Sequence, residues 1–103
     1  CTDGAANMGH PRSYGAYPRK LRRYALDRAA ITLPHAVRSM SGLPAQILGL
    51  KDRGRIDSGY WADVVVFDPA RIRETAEMFA PEKYPEGVDW VLVNGVPVVA
   101  AGK

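Results

Sequence analysis

The chain contains a single cysteine, two histidines and no extended apolar run. One thiol cannot close an internal disulfide, so no disulfide framework holds this fold, and a reducing, cytoplasmic setting is the expectation. The longest apolar runs fall far below the roughly 18 residues that a membrane-spanning helix needs, so no membrane partner is expected. No charged-then-apolar leader opens the sequence. At 103 residues the chain is too short for a complete (β/α)8 barrel, which takes about 250. It begins at Cys1 rather than Met, and is therefore expected to be processed or to be a piece of something longer.

What is present suits a small globular domain with a modest core, with 47% hydrophobic and 24% charged residues. The net charge of +3 is unevenly spread. Residues 1–50 carry seven Lys and Arg against only Asp3 and Asp27, whereas residues 51–103 carry seven against nine acids. That asymmetry points to two differently exposed regions. The basic surplus is what one helix face carries, so nucleic acid is not an expected partner.

Pattern divides the chain into three stretches. Residues 1–18, with Asp3-Gly4 and His10-Pro11 as turn signals, read as a long loop, a class that is usually functional or disordered. Residues 19–50 read as helical. Leu21, Tyr24 and Ala25 form a first apolar stripe. Thr32 is placed to cap a second helix that tolerates Pro34 in its first turn and buries Leu33, Ala36, Val37 and Met40. Ser41-Gly42 ends it, and a short third helix runs from near Pro44 through Ile47 and Leu48 to a left-handed stop at Gly49.

Residues 51–103 switch to strands. The β-branched run at 62–68 is one. The stretches 89–93 and 96–99 flank Asn94-Gly95, the pair that suits a type I′ hairpin turn. Pro97 cannot donate to a ladder, so its strand is expected to lie at an edge or to have that N–H position facing away. Residues 71–84 are expected to form a charged helical turn and loop. Trp61 and Trp90 are expected to pack a small sandwich core.

Chemistry on local pattern is thin. Asp3 stands before a glycine that lets the backbone turn away, as a carboxylate taking a proton from a water does. Asp-Gly is equally an ordinary turn dipeptide. Cys1 reads as a small buried residue, and a role as N-terminal nucleophile needs two stacked sheets that one short β region does not supply. His35 reads as surface.

Longer motifs say more. In order, the chain carries Asp3-Gly4, His10-Pro11-Arg12-Ser13-Tyr14-Gly15, Pro18-Arg19 and Gly49-Leu50-Lys51-Asp52-Arg53-Gly54. It continues with Gly59-Tyr60-Trp61-Ala62-Asp63-Val64-Val65-Val66-Phe67-Asp68, Tyr84-Pro85-Glu86-Gly87 and Val91-Leu92-Val93-Asn94-Gly95. This series resembles the N-acyl-D-amino-acid deacylases (D-aminoacylases) of the amidohydrolase superfamily over nearly the whole chain. The resemblance implies an α+β fragment: residues 1–50 as the C-terminal end of a (β/α)8 metal-dependent hydrolase barrel, and residues 51–103 as the C-terminal part of a small β-sandwich.

It also implies roles. Asp3 would face metal-bound water as proton acceptor and also touch a metal position. Arg12 would grip the α-carboxylate of an N-acyl amino acid bidentately, as guanidinium geometry allows. Pro11 holds the backbone at His10 extended, so the His10 ring either lines the substrate pocket or has a structural role behind it. The implied cofactor is Zn2+, yet the family's His-x-His, its cysteine ligand and its further barrel histidines have no counterpart in this chain, and two isolated histidines cannot complete a zinc centre. The chain alone is therefore expected to be inert, with the missing N-terminal part of the enzyme or another subunit as its partner. The alternative from a different class is a non-catalytic structural or assembly module that docks on another subunit.

Overall fold

The structure is a computed structural model that describes residues 3–5 and 8–103. Cys1 lies outside the described residues. The helical part begins earlier than its sequence pattern announces. Helix α1 spans Pro11–Arg19, so the long loop expected over 1–18 does not extend past His10. The reason is local. Pro11 occupies the first helical turn, where its fixed φ is pre-set and its missing N–H costs nothing. The His10 side chain caps the next donor.

Pro18, inside α1, removes a donor from the helix interior. From Lys20 to Asp27 the helix continues in a wider π-helical winding, with the Arg28 N–H donating to the Arg23 carbonyl at 3.2 Å. Leu21 and Ala25 are buried there as anticipated, but Tyr24 is exposed with the Arg28 guanidinium 5.8 Å above its ring.

Helix α2 spans Leu33–Met40 and begins at the anticipated cap, the Thr32 hydroxyl accepting the His35 N–H at 3.3 Å. Ala36 is its one fully buried residue, and Val37, expected inside, faces out. Helix α3, Gly42–Ile47, follows after one residue, and Gly49 is left-handed at φ 71°. Ile47 and Leu48 are exposed.

The strand half is a three-stranded antiparallel sheet in the order β1 (Val64–Phe67), β2 (Val88–Val93), β3 (Val96–Val99). Asn94 and Gly95 adopt the positive φ values, 52° and 80°, that a type I′ turn requires. Pro97 lies on β3, an edge strand. The 71–84 stretch is not helical. It is an extended excursion stitched by isolated antiparallel bridges, Arg73 with Glu86 and Glu77 with Ala80. Nor are the tryptophans core. Trp61 is 52% exposed and Trp90 41% exposed, because among the described residues no second sheet covers them. Trp61 is held instead at its edges, its indole N–H donating to Asp52 at 2.9 Å and the Arg53 guanidinium lying 5.2 Å from its ring centroid.

The core sits between the two halves. Ile72, 1% exposed, inserts among Leu21, Ala25 and Ala36, with Phe67 and Val88 packed beside them. Arg22 ties the same junction. Its Nε donates to the Ile72 carbonyl at 2.9 Å, and its Nη2 donates to the carbonyls of Ala70 at 2.7 Å and Pro69 at 3.1 Å. Planar guanidinium geometry lets one side chain serve all three carbonyls.

A second lock joins β1 to the hairpin. Asp63 accepts the Asn94 N–H at 2.8 Å and an Arg53 guanidinium N–H, while Arg53 also donates to the Asn94 side chain at 2.7 Å. These bonds, led by the Asn94 N–H and then by Arg53, hold the Asp63 carboxyl below its ordinary 3.8. A carboxyl depressed in the folded state stabilises above its unfolded value and loses that contribution as pH falls through the folded value. Thermal unfolding of the full-length protein carrying this segment should therefore separate wild type from Asp63→Asn above about pH 4. The gap should shrink as pH falls further through the lower folded value, and the two melting curves should meet only below that. A constant gap across the acid range would remove Asp63 from the lock.

Candidate functional site

The site is assembled at the entry of α1. Asp3 is in the left-handed region, φ 52°, a conformation that Asp tolerates better than most residues, and is followed by Gly4. Its carboxylate accepts from Arg12 Nη1 at 3.3 Å. Arg12 lies in the first turn of α1, two residues past His10, and His10 Nδ1 accepts both the Arg12 peptide N–H at 3.1 Å and the Arg12 Nε–H at 3.3 Å. The structure thus brings together all three residues singled out from sequence, Asp3, His10 and Arg12. The Asp3 side chain is 91% exposed, which leaves its second face open to other groups.

An open cleft of about 530 Å³ lies beside them, with His10, Arg12 and Arg19 on one wall and Glu74, Thr75 and Met78 on the other. The second wall belongs to the excursion between β1 and β2, which sequence reasoning passed over as a connection. Helix α1 approaches it closely: a Cβ on Gly15 would lie 3.0 Å from the Glu74 Cβ. Arg19 pairs loosely with Glu74 at 3.8 Å. Tyr14 and Tyr84 meet edge to face with centroids 5.9 Å apart, and Thr75 donates to the Tyr84 carbonyl at 2.7 Å. His-Pro-Arg-Ser-Tyr-Gly and Tyr-Pro-Glu-Gly, seventy residues apart in sequence, are therefore neighbours through one aromatic contact. The Ser13 hydroxyl in the same turn is buried without a partner among the described residues. Its place inside the first motif was the only sign of it in sequence.

A metal centre is not completed here. Among the described residues no three His, Cys, Asp or Glu side chains come together. The Asp3 carboxylate accepts from a guanidinium, which already supplies positive charge, and His10 Nδ1 is committed to Arg12. The described residues do not fit a zinc site by themselves.

Residues 3–99 match the model of an amidohydrolase family, and the chain belongs to that family. Within it the chain is 44% identical over 99 residues to the N-acyl-D-glutamate deacylase of Alcaligenes xylosoxydans xylosoxydans, covering 94% of this chain and 20% of the relative. It is 46% identical over 89 residues to the D-aminoacylase of the same organism, covering 86% of this chain and 18% of that one. The crystal structure of D-aminoacylase superposes with a TM-score of 0.87 at 40% identity, over 91% of this chain and 20% of that one. The N-acyl-D-glutamate deacylase of Bordetella bronchiseptica, complexed with zinc and a phosphonate mimic of the tetrahedral intermediate, superposes at 0.84 with 41% identity, over 91% and 21%. The chain spans about a fifth of the length of the curated relatives it matches.

The Asp3–Arg12 pair is too exposed to hold the fold, since solvent screens it and ordering two side chains opposes it. Asp3→Asn in the full-length protein should shift the melting temperature by no more than about 2 °C. A drop several times larger would make Asp3 a structural residue.

Proposed function

We propose that this chain is the C-terminal portion of a zinc-dependent amidohydrolase that hydrolyses the amide bond of N-acyl-D-amino acids, giving a carboxylate and the free D-amino acid. The observation that carries the reading is the hydrogen-bonded series Asp3–Arg12–His10 in a chain 40–46% identical to deacylases of such substrates. In this reading residues 1–50 form the end of the catalytic barrel and residues 51–103 the C-terminal part of a β-sandwich. Zinc would be held by ligands outside this chain, with Asp3 touching one metal position, and would supply Lewis acidity when bound. The single cysteine agrees with a cytoplasmic enzyme.

The residues of this chain do two things. Asp3 accepts the proton of the attacking water as the new carbon–oxygen bond forms, and returns it to the amide nitrogen as the carbon–nitrogen bond breaks. Arg12 binds the α-carboxylate of the substrate through paired N–H donors, which orients the scissile amide. The His10 ring lines the same pocket.

The isolated 103 residues form an inert docking module. Val65, Val66, Val96, Val98 and Trp61 are exposed on or beside the sheet, and they await the rest of the enzyme or another subunit. An assay of the full-length enzyme tests the proposal. Asp3→Asn should cut turnover at least about 100-fold while bound metal stays nearly constant. Arg12→Lys should raise KM about tenfold or more, because an ammonium cannot reproduce the fork. Full activity in Asp3→Asn removes the carboxylate from the reaction.

A further inference from the structure

We infer that His10 is a positioning residue that sets which edge of the Arg12 guanidinium meets the carboxylate of the substrate. The inference rests on the deacylase reading above and deepens it. An arginine offers a carboxylate two bidentate edges, one made of Nε and Nη2 and the other of Nη1 and Nη2. In this chain the first edge is spoken for. His10 Nδ1 accepts from Arg12 Nε at 3.3 Å and from the Arg12 peptide N–H at 3.1 Å.

The other edge makes no bond to His10, and it is competent for a carboxylate. Nη1 already holds one, the Oδ2 of Asp3 at 3.3 Å. Nη2 makes no hydrogen bond among the described residues. An α-carboxylate approaching from the cleft therefore meets the Nη1–Nη2 edge end-on, and takes from Asp3 the donor it holds at rest. The backbone supports the same geometry. His10 is extended, at φ −134° and ψ 138°, and caps α1, while Pro11 fixes the next residue in the first turn. One side chain thus orders both the helix start and the guanidinium that the helix start presents.

Beyond Asp3, the charged groups of the cleft do not explain the orientation of Arg12. Arg19, Glu74 and Glu77 share the cleft, and Arg19 and Glu74 pair with each other rather than with Arg12.

The test compares His10→Ala and His10→Asn in the full-length enzyme. Asn is a strong N-cap whose side-chain oxygen has two lone pairs for the same two donors, yet it has no imidazole. Each variant is assayed on an N-acyl-D-amino acid and on its analogue lacking the α-carboxylate. His10→Ala should raise KM about tenfold on the carboxylate substrate, with kcat within about threefold of wild type and little change on the analogue. His10→Asn should recover most of that loss. If His10→Asn is as impaired as His10→Ala while wild type is active, the ring acts by its own chemistry and the positioning role is overturned. Equal losses on both substrates also overturn it. Wild-type enzyme inert on every N-acyl-D-amino acid sinks the deacylase reading first, and the inference with it.

Discussion

Everything else in this chain depends on one junction, the burial of Ile72 between Leu21, Ala25 and Ala36 beneath the Arg22 guanidinium. The helical residues and the strand residues each lack a core of their own. The sheet is a single layer with much of its apolar surface exposed, and the helices bury mainly small residues. Neither half closes alone, so hydrophobic burial at their boundary sets how they sit. Arg22 then satisfies carbonyls that the turn at 69–72 leaves free. The Ile72 carbonyl is part-buried, and a buried polar group without a partner is costly, so the Arg22 Nε–H bond offsets a cost of burying Ile72.

From that junction the site follows by short steps. Seating Ile72 carries the excursion after it alongside α1, where Glu74 meets Gly15 and Tyr84 meets Tyr14. With α1 seated, its capped first turn presents Arg12, and Arg12 reaches Asp3. The Gly87 backbone makes the return possible. At φ 78° it passes so near residues 71 and 72 that a Cβ would sit 2.4 Å from the Ile72 nitrogen. Two motifs that look like separate family marks are in physical terms two sides of one contact.

Much of this was legible in sequence, for reasons that can be named. Thr32, Gly49 and Asn94-Gly95 were readable because caps, left-handed stops and type I′ turns are decided by a residue or two. Asp3, His10 and Arg12 were readable only as family motifs, since their spacing alone implies no chemistry. The start of α1 was hidden. His10-Pro11 looks like a turn, and what makes it a helix start is an imidazole serving as cap, a rarer device than Ser, Thr, Asp or Asn. Tyr24, Val37 and the tryptophans were misplaced because a period identifies a face but not whether a partner covers it. The excursion at 71–84 was underrated because its contacts are with α1, which no local pattern reveals.

The central claim is that helices and strands form one cooperative unit through Ile72. Hydrogen exchange on Ile72→Ala in the full-length protein tests it most directly. The truncation should cost about 2–5 kcal/mol, as large-to-small core changes do. Exchange should then accelerate together in residues 21–40 and in the strands 64–67 and 88–99. Acceleration confined to the strands, with the helices as protected as before, would contradict the account.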